Sequence, residues 1–500
     1  MEDFMKNGTI LEYIAGYADS QPDKLAVCEL RRSVTYKEYW TNIRKTATAL
    51  ASIGIKKGDH IVIRNLQNID FLTVFSAIQY IGAVPVPLEK NLGTDRMGEI
   101  AGAADAKTII NDECVEHFNF IDIKHLCKTA MELDEYETEF PKAQDRSMLL
   151  YTTGTTGVSK GVMIKHINDV AIAENVICGT EMKKDNVEII PMPLNHSFAV
   201  RRYQSNMVNG STVCLMDGVA FIGVLWKLMD KYRGTALALA PASLNMIFKL
   251  SDDRLAAYKD QIDYIQLGSA PLQEHDKQRL IELLPDKRMY NLYGSTEAGC
   301  SCILNFNSPD NKNGCVGYPT VNSRVRFIDA AGNITDAATE DNPCQLLWGG
   351  DIVMEGYYNA PEMTAETLCD GYVKTNDLAY LDEKGRCILV GRIDDVINFG
   401  GNKISPGEVE DCAMDYPHIS ECAYSSRPDE ITGEAPVMLV IPKEGYTREE
   451  FEMFLSERLE GYKVPKEIIT VTSLPKTFNG KLLRREVKKI IKQIYEGEQI

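Results

Sequence analysis

Leu149-Leu-Tyr-Thr-Thr-Gly-Thr-Thr-Gly-Val-Ser-Lys-Gly-Val-Met-Ile164 is the stretch of sequence that decides the fold. The apolar run from Met148 to Tyr151 predicts a buried strand, and Val162 to Ile164 predicts a second one. The glycines between them let the main chain approach an anion closely, and successive N–H groups in such a turn form a concave site for oxyanions. Lys160 adds a compact positive charge that suits a phosphate.

This loop is not a Walker phosphate loop. Ser159 stands five residues after Gly154, where the Walker pattern requires a glycine followed by Lys-Ser/Thr. We predict a phosphate loop of another kind, whose candidate residues are Thr152, Thr153, Gly154, Thr155, Thr156, Gly157 and Lys160. Composition alone leaves a mobile glycine-threonine surface loop as the alternative.

Length and charge limit the class of protein. A chain of 500 residues predicts two to four folding units. The formal net charge of −18 argues against a general nucleic-acid or anionic-membrane binder. The 13 cysteines are scattered, and the close pair Cys300-Ser-Cys302 has the spacing of neither a zinc knuckle nor a redox Cys-x-x-Cys. We therefore expect reduced thiols.

We expect a cytoplasmic protein without a transmembrane segment. The first residues, Met1-Glu-Asp-Phe-Met5, lack the basic start and apolar run of a secretory signal. No apolar segment approaches the ~20 residues that a membrane-spanning helix needs.

Strand-like and helix-like patterns alternate along most of the chain. This alternation predicts an α/β fold, with a large N-terminal domain of parallel-type sheets covered by helices. The pattern becomes β-rich beyond Cys302, and a small α+β unit begins near Asp394. We predict an N-terminal domain over 1–393 and a C-terminal lid domain over 394–500. Ligands of open α/β sheets bind beyond the carboxyl ends of strands, which directs attention to 152–161, His196, Gly268–Pro271 and Asn291–Glu297.

Five separated stretches resemble one known set of motifs. They are Thr152-Thr-Gly-Thr-Thr-Gly-Val-Ser-Lys-Gly161, Asn291-Leu-Tyr-Gly-Ser-Thr-Glu297, Lys374-Thr-Asn-Asp377, Gly391-Arg-Ile-Asp-Asp395 and Pro475-Lys-Thr-Phe-Asn-Gly-Lys481. In this order they resemble the adenylate-forming superfamily of acyl-CoA and aryl-CoA synthetases, peptide-synthetase adenylation domains and luciferases. The chain looks most like a stand-alone acyl-CoA synthetase. The resemblance implies a mobile C-terminal domain that rotates between two half-reactions.

The reaction that the resemblance implies uses ATP, Mg²⁺ and a thiol. A carboxylate attacks the α-phosphate of ATP and expels pyrophosphate, and the thiol of coenzyme A or of carrier-bound phosphopantetheine then displaces AMP. Because two anions must meet, the site must first neutralise charge.

The resemblance also implies roles for individual residues. Glu297 would ligate Mg²⁺, a hard cation that takes carboxylate and phosphate oxygens. Lys481 would bridge the attacking carboxylate and the α-phosphate, and His196 would orient the acid. Adenine and ribose would lie against Gly268, Ser269, Ala270, Asn291, Tyr293, Gly294, Thr296, Asp377 and Arg392. The hinge would be Asp394, and the thiol tunnel would contain Gly400, Gly401 and Lys403.

Simpler interpretations of several of these residues remain open. Ser295 to Ala298 has the pattern of a helix start, Asp377 that of a surface turn, and Lys481 that of a solvated lysine on a basic terminal helix. Asn376 replaces the glycine that is usual before the ribose aspartate.

Two adjacent arginines, Arg201 and Arg202, are unusual beside an expected apolar pocket. Either they lie on a solvated helix face, or one of them pairs with a second substrate carboxylate or with the phosphate of phosphopantetheine.

The function that we expect is an ATP-dependent acid–thiol ligase that makes an acyl-CoA from a small carboxylic acid. One alternative is an adenylation enzyme that loads a carrier protein. Another is a nucleotide-binding regulator without catalysis. The sequence leaves aliphatic, aromatic and dicarboxylic acids open.

Overall fold

The structure is a computed structural model that describes residues 8–64, 66–153, 159–270, 272–312, 314–400, 402–476 and 482–496. The first part of the chain contains α1 (Ile10–Ser20), β1 (Leu25–Cys28), β2 (Ser33–Thr35), α2 (Tyr36–Ser52), β3 (His60–Arg64), α3 (Ile69–Tyr80), β4 (Val84–Leu88), α4 (Thr94–Ala103), β5 (Thr108–Asn111), β6 (Asn119–Asp122) and α5 (Ile123–Ala130).

The next part contains most of the predicted strand ends. Its elements are β7 (Arg146–Thr153), β8 (Ser159–Lys165), α6 (His166–Gly179), β9 (Val187–Ile190), α7 (Ser197–Asn209), β10 (Thr212–Leu215), α8 (Ile222–Tyr232), β11 (Ala236–Leu239), α9 (Pro241–Ser251), a 3₁₀ helix (Arg254–Tyr258), β12 (Tyr264–Leu267), α10 (Glu274–Leu283) and β13 (Arg288–Ser295).

A β-rich part follows and then a smaller α+β part. The β-rich part has β14 (Gly299–Asn305), β15 (Cys315–Pro319), β16 (Arg324–Ile328), β17 (Ile334–Thr335), β18 (Cys344–Gly349), β19 (Gly356–Tyr357), α11 (Pro361–Thr367), β20 (Leu368–Cys369), β21 (Tyr372–Leu381) and β22 (Cys387–Arg392). The last part has β23 (Ile397–Phe399), β24 (Asn402–Ile404), α12 (Pro406–Met414), β25 (Ile419–Asp429), β26 (Gly433–Pro442), α13 (Arg448–Ser456), β27 (Glu467–Thr470) and α14 (Arg484–Glu496).

One long sheet connects the α/β and β-rich parts. Its strands run in the order β2-β1-β10-β9-β11-β12-β13-β14-β15-β22-β21-β18-β16-β17. Pairing is parallel from β1 to β13 and antiparallel from β13 to β17. The carboxyl ends of β9, β11, β12 and β13 therefore lie at one edge, which is where such sheets bind ligands.

Two further sheets complete the N-terminal part of the described chain. Strands β4, β3, β5 and β6 form a wholly parallel sheet. Strands β7, β8 and β19 form an antiparallel sheet that contains the hairpin of the predicted phosphate loop. Together with the long sheet, they confirm the predicted α/β class with a β-rich extension.

Local sequence signals explain several helix ends. Thr35 and Glu38 form a reciprocal capping box that starts α2. Helix α9 begins with Pro241, whose missing N–H is not needed at that position. Helix α7 ends at Gly210, which adopts a left-handed conformation (φ +71°).

The residues after Asp394 pack around cores of their own. One core contains Ile397, Val409, Phe451 and other buried side chains from β23 to β27. A second core joins the sheet to α14 through Val487 and its neighbours. Among the described helices, none is long and apolar enough to cross a membrane.

A buried ion pair joins α7 to the long sheet. Arg202 donates through Nε and Nη2 to the two carboxylate oxygens of Glu188 on β9, at 2.9 and 2.6 Å. Both side chains are almost completely buried. Asn206 and Gln266 also donate to Glu188. Because this network is dry and bidentate, loss of one partner leaves an uncompensated buried charge.

We expect Glu188→Ala to lower the free energy of unfolding by about 3–5 kcal/mol because it leaves Arg202 charged and unpaired in the core. Urea unfolding followed by tryptophan fluorescence measures this change, since Trp40, Trp226 and Trp348 are all buried in the N-terminal part. The control is Glu99→Gln, which breaks the exposed pair with Arg96 and should change stability by at most about 1 kcal/mol. Equal effects of the two variants would contradict this account.

Candidate active site

The predicted phosphate loop is the connection of the β7–β8 hairpin. Thr152 pairs with Lys160 and Thr153 with Ser159 across the hairpin. The two strands predicted on either side of the loop are therefore present, and they pair antiparallel to each other. Four of the predicted phosphate-binding residues lie outside the described residues, namely Gly154, Thr155, Thr156 and Gly157.

Lys160 and Glu297 meet at Tyr357. The ammonium Nζ of Lys160 lies 5.3 Å from the centre of the Tyr357 ring. The Tyr357 hydroxyl donates a hydrogen bond of 2.8 Å to Glu297 Oε1. Burial and the nearby Glu297 charge raise the pKa of Tyr357, so its hydroxyl stays a donor. The structure thus brings the base of the phosphate loop and the predicted metal ligand together.

Glu297 fits a divalent cation bound to phosphates. Its second oxygen, Oε2, makes no hydrogen bond to any residue that the structure describes, and the Thr296 hydroxyl lies nearby, donating to Ser197 Oγ at 3.1 Å. No cluster of three or more His, Cys, Asp or Glu side chains suited to a metal occurs among the described residues. One carboxylate with open coordination matches Mg²⁺, which takes its other ligands from phosphates and water.

Ser295 to Ala298 does not start a helix. These residues form the turn between β13 and β14, where Gly294 pairs with Cys300 after a register shift. A Cβ at Gly294 would lie 1.8 Å from the carbonyl oxygen of Gly299, so only glycine fits. The helix-start interpretation is therefore wrong, because an antiparallel hairpin fixes this segment.

The predicted nucleoside-binding residues form a second group. Tyr293 donates from its hydroxyl to Asp377 Oδ2 at 2.5 Å. Arg392 lies directly opposite Asp377 in the β21–β22 pair, with Nε 3.8 Å from Oδ1. Asp377 thus lies within a strand, not in the surface turn that its sequence permits. Tyr293 thus occupies Oδ2 of this carboxylate, and Arg392 is the cation nearest to Oδ1 in this strand pair.

The other predicted adenine-side residues lie at the neighbouring strand ends. Asn291 lies on β13 between Leu267 and Leu304. Gly268 follows β12, and a Cβ there would lie 2.8 Å from the Phe198 ring. Ser269 adopts a left-handed conformation (φ +74°) and is exposed, and Ala270 is half-buried.

His196 lies immediately before α7 and not at the end of β9, which stops at Ile190. Its side chain is exposed at the same sheet edge, one residue from Ser197. Although the side chain is exposed, surrounding protein atoms remove part of its hydration and lower the pKa of His196, while the charge of Glu89 acts in the opposite direction. A neutral imidazole at this position is a hydrogen-bond donor and acceptor for a polar ligand group.

The predicted hinge residue, Asp394, is contacted by one residue that precedes it in the chain and by one that follows it. Asn376 Nδ2 donates to Asp394 Oδ2 at 3.0 Å, and Lys488 Nζ donates to the Asp394 carbonyl oxygen at 2.6 Å. Gly400 lies at the turn between β23 and β24 (φ +58°), and Lys403 lies on β24 opposite Asn398. Gly401 and Lys481 lie outside the described residues.

The solvated-face interpretation of the two arginines is wrong. Arg202 is fully buried against Glu188, as described above. Arg201 is 6 % exposed, and its Nη1 and Nη2 donate to the carbonyl oxygens of Ser295 and Thr296, each at 2.8 Å. Neither arginine lies on a solvated face, because α7 packs between the sheet and α6, and each arginine donates two hydrogen bonds or more to protein groups.

Sequence reasoning missed Tyr357 and Asp169, and it did not anticipate that Arg201 donates to the carbonyl oxygens of Ser295 and Thr296. Asp169, on α6, is completely buried. Burial raises its pKa to about 7, and Ser147, Arg201 and Gln204 act in the opposite direction. The role of Tyr357 depends on the pairing of β19 with β8, which joins residues about 190 positions apart in the sequence. No local sequence pattern predicts the register of so short a strand.

The family models and the relatives that match this chain agree with the resemblance predicted from the motifs. The family model described as "AMP-binding enzyme" matches residues 15–358, and the model described as "AMP-binding enzyme C-terminal domain" matches residues 408–481. A 2-succinylbenzoate–CoA ligase of Bacillus cereus is 26% identical over 483 residues, covering 95% of this chain and 97% of that protein.

Solved structures share the fold. The ATP-bound crystal structure of MatB from Rhodopseudomonas palustris has a TM-score of 0.87 at 22% identity and covers 98% of this chain and 100% of that one. O-succinylbenzoate coenzyme A synthetase from Bacillus subtilis, in complex with ATP and magnesium, has a TM-score of 0.83 at 22% identity, covering 95% and 99%. The predicted resemblance to adenylate-forming enzymes is confirmed, and the chain belongs to the AMP-binding enzyme family.

Proposed function

We propose that this protein is an ATP-dependent carboxylic acid–CoA ligase. The observation that carries the proposal is the order of groups along the site. Tyr293 and Asp377 lie at one end, Glu297 follows four residues after Tyr293, and Lys160 lies beyond it across the Tyr357 ring. This order matches a nucleoside, a metal-bound phosphate group and a terminal phosphate. The name of the CoA ligase relative supports the same reaction.

The first half-reaction joins the acid to AMP. A carboxylate oxygen of the acid attacks the α-phosphorus of ATP, the bond to the β-phosphate breaks, and pyrophosphate leaves. Asp377 accepts hydrogen bonds from the ribose hydroxyls, and Lys160 with the 152–157 loop neutralises the departing phosphates. Glu297, with Thr296 beside it, would hold the magnesium ion, which when bound spreads phosphate charge. Lys481 is assigned to the contact between the attacking carboxylate and the α-phosphate.

The second half-reaction transfers the acyl group. The sulfur of CoA bonds to the acyl carbon, the carbon–oxygen bond to the phosphate breaks, AMP leaves, and the thiol proton goes to solvent. We assign residues 394–500 to a lid domain that rotates about Asp394 between the two steps, so that Gly400, Gly401 and Lys403 reach the site in the second step. A cytoplasmic location completes the proposal.

The acid lies where His196 and Phe198 face the end of β12. Phe198 is half-buried, and its ring lies against Gly268, so it occupies space that a larger residue at 268 would need. Arg202 and Glu188 fill the region one turn further along α7. With an aromatic ring at the strand end and an ion pair behind it, the pocket suits a short acid.

We expect Lys481→Gln to lower the rate of acid-dependent ATP–pyrophosphate exchange by about 10²–10³-fold, since one preorganised charge is lost. The assay uses a panel of aliphatic, aromatic and dicarboxylic acids. Lys476→Gln is the control. Lys476 lies only five residues before Lys481, but it pairs with Glu421. Unchanged exchange in Lys481→Gln would contradict the mechanism, and AMP release that needs a carrier protein and ignores CoA would contradict the CoA assignment.

We expect Phe198→Ala to shift acid preference towards longer acids. Removal of the ring opens space beside Gly268, and the gain in kcat/KM for an acid longer by one or two methylenes should be about 10-fold. Phe198→Leu keeps most of the volume and is the control. The same ranking of acids in all three proteins would show that Phe198 does not limit the pocket.

We expect Asn376→Gly to change the ratio of the two half-reaction rates by about two- to five-fold, because one exposed hydrogen bond contributes about 0.5–1 kcal/mol. The bond to Asp394 stabilises the described orientation, and its loss should free the hinge. Rapid-quench measurement of pyrophosphate and AMP release gives the ratio. Lys488→Met removes the second contact of Asp394 and should act in the same direction. An unchanged ratio in both variants argues against a hinge at Asp394.

A further inference from the structure

Arg201 holds the two peptide groups that precede Glu297. Its two terminal nitrogens donate to consecutive carbonyl oxygens, those of Ser295 and Thr296, at 2.8 Å each. A guanidinium is planar and presents its donors in a fixed fork, so this pair of bonds fixes orientation as well as distance. The Arg201 side chain itself is almost fully buried.

Glu297 is held on its other sides as well. Its carbonyl oxygen accepts from the Met354 N–H at 2.9 Å, and its carboxylate accepts from Tyr357. The direction in which its side chain leaves the turn depends on the peptide planes at 295 and 296. Arg201 fixes those planes, and so it determines where the carboxylate points.

A buried acidic residue on the helix that follows the predicted phosphate-loop hairpin acts on Arg201. Asp169 lies in the first turn of α6, which follows β8 directly, and its charge acts on Arg201. Ser147 of β7 lies beside the same carboxylate. Arg201, which belongs to the helix that begins after His196, therefore contacts the turn that carries Glu297 and is within reach of the charge of Asp169 on α6.

We infer that Arg201 is a positioning residue that fixes Glu297 for a divalent cation on the ATP phosphates. The inference rests on the proposed function. Burying an arginine costs free energy unless its charge and its donors are compensated. Here both terminal nitrogens donate hydrogen bonds to carbonyl oxygens of the same turn. Residues that orient a metal ligand from behind typically contribute 10–100-fold to metal affinity or activity.

Two variants and one control test this role. Arg201→Lys keeps the charge but replaces the fork with a single ammonium. Asp169→Asn/Arg201→Gln removes both charges together, so that no buried charge is left unpaired if the single variant does not fold. The control is Arg386→Lys, because Arg386 is equally buried, pairs with Asp382 and donates to a backbone carbonyl far from the site.

Binding of α,β-methylene-ATP is measured by calorimetry with excess Mg²⁺ and with EDTA, and the magnesium dependence of pyrophosphate exchange is measured beside it. We expect both Arg201 variants to bind the magnesium–nucleotide complex about 10–100-fold more weakly, with little change in EDTA, and to need correspondingly more magnesium. Saturating magnesium should restore most of the exchange rate of Arg201→Lys. Arg386→Lys should match the unmodified protein.

Unchanged magnesium dependence in the variants would overturn the inference, and so would an equal loss of affinity with and without magnesium, which indicates a general disturbance of the fold. These results differ from failure of the proposed function. In that case the unmodified protein itself would give no acid-dependent exchange with any acid of the panel.

Discussion

The fork of hydrogen bonds from Arg201 to the Ser295 and Thr296 carbonyls is the interaction on which the rest of the site depends. It joins α7 to the β13–β14 turn, where the long sheet changes from parallel to antiparallel pairing. The charge of Asp169 on the other side relates the same arginine to the β7–β8 hairpin. Three segments that are distant in sequence thereby come close together, at the place where we propose that the ATP phosphates bind.

Charge explains why such rigidity is useful. The proposed reaction brings a carboxylate to a triphosphate. Two anions approach each other only if cationic groups in the site already neutralise their charge. Lys160 at the base of the predicted loop and Arg392 opposite Asp377 supply cationic groups at the two ends of the proposed nucleotide site. Glu297 would place a third positive charge between them through its metal. Because these groups lie on different elements, small displacements of one element weaken the whole arrangement.

The parts of the fold that depend on local sequence patterns could be predicted from the sequence. The strand on each side of the glycine-threonine loop and the strand end just before Gly268 follow from apolar runs and glycine positions. The burial of Arg201 and Arg202 did not follow. Helical spacing places residues on a helix face, but Glu188 and Ser295, which decide what that face meets, lie on other strands. Likewise, Tyr357 reaches Glu297 only through the register of a two-residue strand.

The site was predictable only where motifs carried it. Glu297 and Asp377 came from resemblance, since their spacing alone suits a helix start and a surface turn, and the structure places both in hairpin geometry. The measurement that tests the account most directly is a crystal structure with α,β-methylene-ATP and magnesium. The account predicts adenine beside Tyr293, ribose hydroxyls on Asp377, and the metal between Glu297 and the phosphates. Nucleotide bound elsewhere, or a metal without Glu297 among its ligands, would contradict it.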